Sequence, residues 1–236
     1  TPHFARAVVC ACQSPFCRLK LSPEGKTIMT EQKRQVAIVT GAASGIGRAL
    51  AERCTQEGMK IVLAGINADN LIKAEQVLSA EGATVLSVPA DVSKLADIEA
   101  LAQKTLSAFG AVHLLFNNAG VGAGSTVWES SLADWQWVME VNLWGVIYGL
   151  RVFVPIMLAQ DTECHIVNTA SIVGLMPPFH PFAPYQVSKH AVVALSEHLY
   201  YSLAEKKAKV KASVLCPGWV NTRALDCERD RPLELQ

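Results

Sequence analysis

One short segment, Thr40-Gly41-Ala42-Ala43-Ser44-Gly45-Ile46-Gly47, constrains the fold of this chain more than any other. It follows directly on the apolar run Val36-Ala37-Ile38-Val39 and leads straight into a helical pattern from Ile46 to Glu57. A strand that ends in such a turn and opens a helix is a cradle for phosphate. Gly41 can take the tight turn, Gly45 removes a side chain where a pyrophosphate must approach, and Gly47 lets helix and strand pack closely. The N–H groups at the helix start, Ser44 to Gly47, then face the phosphates, assisted by the helix dipole. The plainer alternative is a glycine-rich turn with no ligand, and the placement after a first strand weighs against it.

Downstream the chain keeps alternating short β-rich runs with longer helical stretches. Strands are expected at Val36–Val39, Lys60–Leu63, Thr84–Val88, Val112–Phe116, His165–Asn168 and Val210–Leu215. Helices are expected at Ile46–Glu57, Asp69–Ala80, Lys94–Ala108, Leu132–Ala159 and Ala183–Lys206. The strands are apolar throughout rather than alternating, which implies a parallel sheet covered on both faces. Right-handed crossovers then give a three-layered α/β fold, a Rossmann-type doubly wound parallel sheet, with its ligand crevice at the carboxyl ends of the strands.

Composition narrows the class. With 236 residues, half of them hydrophobic, the chain suits one large α/β domain. Residues 1–28 carry no helical or strand period and read as an extension outside the fold, with a single domain from 29 to 236. Lys+Arg and Asp+Glu each count 21, so no electrostatic footprint for nucleic acid or an anionic membrane is expected. The longest uninterrupted apolar runs are strand-sized, well below the roughly 18 residues that span a bilayer. Seven cysteines without a disulfide or zinc spacing fit free thiols of a reducing, cytoplasmic setting.

A second cluster carries chemistry. Tyr185 and Lys189 are four apart at the start of a predicted helix, so phenol and ammonium share one face. A cation beside a phenol favours the phenolate and lets a tyrosine exchange a proton near neutral pH. Ser171 lies just past the fifth strand, at the end of the sheet where reactive groups gather. Its hydroxyl is placed to hold a substrate carbonyl against the phenol. Each signal is weak alone; together they are not.

From about Gln35 to the C-terminus the sequence resembles the classical short-chain dehydrogenase/reductase family. The matching motifs are Thr40–Gly47, Asn117-Asn118-Ala119-Gly120, Asn142, Ser171, Tyr185 with Lys189, and Pro217-Gly218. The resemblance implies an NAD- or NADP-dependent oxidoreductase moving a hydride between nicotinamide and an alcohol or carbonyl carbon. Tyr185 would be the general acid/base, Lys189 would hold the nicotinamide ribose, Ser171 would orient the substrate oxygen, and Asn142 would support a water-linked proton relay. Asp91 and Val92 match the adenine contact, Asn118, Ala119 and Gly120 line the cofactor cleft, and Val220 with Thr222 would hold the carboxamide. Relatives pair through the counterparts of the two long helices, so a homo-oligomer, at least a dimer, is expected.

Two departures from the family pattern matter. Gly65 stands at the end of the second strand, where an acid would read the ribose of NAD, and no Arg or Lys replaces it. Discrimination is therefore expected to be weak or tilted toward NADP. The chain also reaches Gln236 soon after Pro217-Gly218, so C-terminal elements that cover the substrate are expected to be missing, with an open substrate side. That departure keeps a competing reading in view: a dinucleotide-binding regulatory or scaffold protein without turnover. Three histidines near Tyr185 (His180, His190, His198) and the tryptophans around Asn142 are assigned ordinary surface and packing roles.

Overall fold

In the computed structural model, residues 35–178, 181–222 and 231 are described. The expected N-terminal extension at 1–28, most of the segment after Thr222, and His180 lie outside them.

Six parallel strands form one sheet: β1 (Val36–Thr40), β2 (Lys60–Gly65), β3 (Val85–Pro89), β4 (Leu114–Asn117), β5 (Cys164–Thr169) and β6 (Val210–Leu215). Their order is β3-β2-β1-β4-β5-β6. The order reverses beside β1, so a crevice opens at the carboxyl ends of β1 and β4. The helices are α1 (Gly45–Gln56), α2 (Ala68–Ala80), α3 (Leu95–Phe109), α4 (Leu132–Met139), α5 (Gly145–Gln160) and α6 (Ala183–Glu205).

The apolar strand residues explain the layers. Along β1, Val36 and Ile38 face one way and Ala37 and Val39 the other, and all four are fully buried. The first face meets α3, α5 and α6 through Leu101, Phe153, Met157 and Val192. The second meets α1 and α2 through Ala51, Leu71, Ala74 and Leu78. Each fully buried Val or Ile contributes about 1.5–3 kcal/mol of transfer free energy, so this strand anchors both cores at once.

The long helix expected at Leu132–Ala159 is not uniform. It is α4, then a π-helical turn at Glu140–Trp144, then α5. Amphipathic periodicity predicts the helix but not the extra residue of the π turn, which here carries Asn142. Pro155 sits inside α5 on its exposed face, where water can reach the carbonyl that loses its partner. The whole run Leu132–Gln160 is long and apolar enough by composition to cross a membrane, an outcome that uninterrupted-run counting did not anticipate. Its inner face is core of the domain, with Val138, Val146, Phe153 and Met157 buried.

Candidate active site

The site begins where β1 ends. Gly41 and Gly45 have φ of 66° and 54°, the left-handed region that the turn requires. Gly47 has ordinary φ but no room: a Cβ there would lie 2.2 Å from the Gly41 carbonyl oxygen and 2.6 Å from Asn118 Nδ2. The first intrahelical bond of α1 runs from Arg48 N–H to the Ser44 carbonyl, so the amides of Gly45, Ile46 and Gly47 precede the ladder. No acidic side chain occupies the first turn. That donor set fits a phosphate group.

Thr40, quoted in the motif but given no part in the chemistry, organises the next wall. Its hydroxyl accepts from the Asn118 and Ala119 amides at 2.9 and 3.0 Å and donates to the Phe116 carbonyl at 3.2 Å. Asn118 Nδ2 returns a bond to the Thr40 carbonyl at 3.0 Å. The Asn117–Gly120 loop is thus clipped onto the glycine turn.

Tyr185 and Lys189 stand on the first turns of α6, as their spacing predicts. Lys189 is 3% exposed, its Nζ donates to the Thr169 carbonyl at 3.0 Å, and it lies 5.5 Å from the centre of the Tyr185 ring. Burial lowers its pKa to about 8, opposed by the nearby Cys216. Ser171 caps the short 3-10 turn Ile172–Gly174, and its hydroxyl accepts from Val173 N–H at 3.4 Å. Accepting that bond leaves the hydroxyl hydrogen available to a substrate oxygen.

Asn142 is fully buried behind the cleft rather than on its wall. Its Oδ1 accepts from Val121 N–H at 2.8 Å, and its Nδ2 donates to the Val121 carbonyl at 2.9 Å and Ser188 Oγ at 3.0 Å. The side-chain amide is therefore spent on scaffolding, and a water relay through this residue would use its backbone carbonyl.

Every other residue expected at the site lines one cleft of about 410 Å³: the glycine turn, Asp91 and Val92, Asn118 to Gly120, Ser171, Tyr185, Lys189, Pro217, Gly218, Val220 and Thr222. Asp91 is held by Ser93, whose amide and hydroxyl donate to Oδ1 at 3.0 and 2.7 Å. A Cβ on Gly45 would come within 3.3 Å of Thr222, so the glycine turn and the Pro-Gly segment meet across the cleft. The structure adds Trp137, Ile172, Val173, Phe182, Gln186 and Trp219 to the lining. Trp137 is 2% exposed, so this tryptophan both packs and lines the site. Arg231, in the charged segment after Thr222, pairs with Asp134 and lies 4.8 Å over the Trp137 ring. His190 Nδ1 lies 3.0 Å from the Gln186 carbonyl, a local helix contact, and no metal-binding cluster exists among the described residues.

Comparison with known proteins agrees with this geometry. Residues 35–232 match the family model for short chain dehydrogenases. A CLA biosynthesis dehydrogenase/reductase of Lactiplantibacillus plantarum is 37% identical over 207 residues, covering 87% of this chain and 72% of that protein. A short-chain dehydrogenase/reductase of Burkholderia phymatum, solved in complex with NAD, is 52% identical with a TM-score of 0.84, over 86% of this chain and 72% of that one. An actinorhodin polyketide ketoreductase variant solved with NADPH is 34% identical with a TM-score of 0.78, over 84% and 76%. The chain belongs to the short-chain dehydrogenase/reductase family of oxidoreductases.

The buried ammonium has a measurable consequence. The native Lys189 releases its proton near pH 8, whereas an unfolded lysine holds it to about 10.5. The unfolded state thus binds more protons between those values, and the fold is penalised for the charge below them. Lys189→Met should stabilise the cofactor-free protein, on the order of 2 kcal/mol at pH 7, while abolishing turnover. The gain should shrink as pH rises from 8 toward 10.5. Urea unfolding of both proteins across that range checks it; a destabilised Met variant contradicts the assignment.

Proposed function

We propose that the protein is an NAD(P)-dependent alcohol dehydrogenase or carbonyl reductase acting on a largely apolar substrate. The observation that carries the reading is the convergence of Ser171, Tyr185 and Lys189 on the cleft that the glycine turn opens. The donor set of α1 fits the pyrophosphate of a dinucleotide, and Lys189 and Thr222, which line the same cleft, would hold its nicotinamide end. When bound, the nicotinamide would supply or accept the hydride.

The remaining chemistry belongs to the chain. Ser171 donates to the substrate oxygen and fixes its direction. Tyr185 gives its phenol proton to that oxygen in reduction and takes it back in oxidation. The Lys189 cation stabilises the phenolate that forms. Ile172, Val173, Phe182 and Trp137 supply apolar walls that exclude water from the reacting carbon. A scaffold role without turnover is not favoured, since every polar group the reaction needs is present and ordered.

Tyr185→Phe should then remove at least 99% of turnover, on the order of 3 kcal/mol or more of barrier, and leave cofactor affinity nearly unchanged. The assay is reduced-cofactor absorbance with cyclohexanone, acetophenone and 2-decanone and the matching alcohols. More than a tenth of wild-type activity in the Phe variant would sink the role.

Cofactor preference turns on Gly65. A Cβ there meets only Leu71 Cδ2, at 3.8 Å, so the first atom of a side chain fits without displacing anything. With no carboxylate in place, both NAD and NADP are accepted, with a tilt toward NADP. Gly65→Asp should move preference toward NAD by about tenfold or more, because the carboxylate accepts from the ribose hydroxyls and repels a 2′-phosphate. Dissociation constants for both cofactors decide this; a wild type already favouring NAD a hundredfold contradicts it.

The outer faces of α5 and α6 support a homodimer at least. Val187, Tyr200 and Tyr201 on α6 and Trp144, which leads into α5, are each more than two-fifths exposed, and the Trp144 and Tyr148 rings meet tilted with centroids 5.6 Å apart. Sedimentation at micromolar concentration should give a dimer or larger, and monomer alone overturns it. The free thiols of Cys54, Cys164 and Cys216, all pushed above the ordinary range mainly by burial, support a reducing, cytoplasmic setting.

A further inference from the structure

Ser171 and Tyr185 come from different elements, the end of β5 and the start of α6, so something must set the gap between them. We infer that Gln186 is the positioning residue that does so, by locking the loop after Ser171 onto the helix that carries Tyr185. The inference rests on the catalytic reading above.

Gln186 adjoins the phenol in sequence and is 8% exposed. Its Nε2 donates to three carbonyl oxygens of one loop: Val173 at 3.0 Å, Met176 at 3.2 Å and Pro177 at 3.0 Å. Two N–H bonds are shared among three acceptors, so each carbonyl is drawn to a single atom. Of the uncharged side chains, only an amide brings two donors on one nitrogen. A lysine would place a second buried cation near Lys189.

An independent contact fixes the same joint. Gly174 lies flat against α6, where a Cβ would stand 2.7 Å from the Lys189 carbonyl oxygen and 2.9 Å from its carbon. From the other side, Ile172 N–H donates to the Pro217 carbonyl at 2.9 Å. The loop is thereby held between α6 and the end of β6, with Ser171 at its head. Ile172 and Val173, which line the cleft, ride on it. A loosened joint changes both the Ser171–Tyr185 separation and the substrate wall, so kcat and KM move together while the phosphate side stays as it is.

The test uses Gln186→Met, Gln186→Glu and Gly174→Ala beside Tyr185→Phe, with the same ketones. Gln186→Met fills the space without donors. It should lower kcat and raise KM so that kcat/KM falls about tenfold or more, with NAD and NADP dissociation constants within about threefold. Gln186→Glu turns a carboxylate toward three carbonyls and should be worse than Met at about pH 8. It should recover relative to wild type toward about pH 6, as the protonated carboxyl gains one donor. A residue that merely fills space gives no such recovery. Backbone amides of residues 172–176 should exchange hydrogen about tenfold faster in Gln186→Met while those of β1 and β4 do not, a readout that needs no substrate. If the Gln186 variants do not fold, Gly174→Ala should give the same joint change in kcat and KM with the amide intact. Wild-type kinetics and exchange in Gln186→Met, a flat pH ratio in Gln186→Glu, or normal kinetics in Gly174→Ala overturns the inference. Those results with an inactive Tyr185→Phe remove the positioning role alone, whereas an active Tyr185→Phe removes the catalytic reading itself.

Discussion

The hydroxyl of Thr40 joins the two halves of this fold at the point where a ligand would sit. β1 and β4 are neighbours in the sheet, and each releases a loop at its carboxyl end. Left alone, those loops would diverge, since strand pairing stops at Phe116. One oxygen accepts two amides of the Asn118–Ala119 turn and donates to the carbonyl of Phe116, the last β4 residue paired with β1. The absent Cβ of Gly47 then lets α1 settle against the Gly41 carbonyl and the Asn118 amide. Hydroxyl and glycine act as one device. The first fixes where the second loop runs, and the second lets the phosphate-facing helix approach it.

The same economy recurs along the run Leu132–Gln160 formed by α4, the π turn and α5. Two side-chain amides each pair twice with the backbone of one residue flanking β4. Asn142 holds the amide and carbonyl of Val121 beyond the strand at 2.8 and 2.9 Å, and Gln160 holds those of Val112 before it, each at 2.8 Å. The π turn makes the first of these possible by bringing an interior helix position onto the loop. A regular α-helix over Leu132–Gln160 would carry Asn142 around the axis and leave the Val121 backbone unsatisfied. The irregularity in the helix is thus tied to a specific hydrogen-bonding need in the loop that carries Asn118 and Gly120.

Much of this was legible in the sequence, for reasons that differ by residue. Apolar runs such as Val36–Val39 name parallel strands because both faces are covered, and their alternation with helices names a doubly wound sheet, whose strand order comes from the structure. The glycine turn and the Tyr185–Lys189 spacing are readable because their geometry is local. Gln186 is not, since its three partners belong to a loop with no sequence periodicity, and a glutamine beside a tyrosine carries no signal of what it will meet. Trp137 is ambiguous for the opposite reason: burial and lining the cleft call for the same residue type, and only the packing of α4 decides. The role of Asn142 was legible as a position but not as an interaction, because the π turn that aims its side chain leaves no trace in the hydrophobic period.

The polar groups behind the site explain how a buried cation can be held there. Lys189 is buried on α6 against the carboxyl end of β5, where an isolated ammonium is strongly disfavoured. What stabilises it is a carbonyl, Thr169, at the end of β5, and that carbonyl is only as fixed as the strand. A buried chain of hydrogen bonds crosses the strand one residue earlier: Asn117 Nδ2 donates to Asn168 Oδ1 at 2.9 Å, Asn168 Nδ2 to Ser196 Oγ at 3.0 Å, and Ser196 Oγ to the Val192 carbonyl at 2.7 Å. It links β4, β5 and α6, the three elements that bear the Asn118 loop, the Thr169 carbonyl and the Tyr185–Lys189 pair. Each of the three side chains has a hydrogen-bond partner, and none of their atoms is a buried polar group left unpaired. Apolar residues of the same volume would pack these elements as well, but they would permit small sliding between strand and helix. A proton exchanged between a phenol and a substrate oxygen tolerates little of that, because the heavy atoms must approach to about 2.6–3.2 Å. The polar interior therefore serves registration more than stability, and it lies directly behind the residues whose spacing the chemistry depends on.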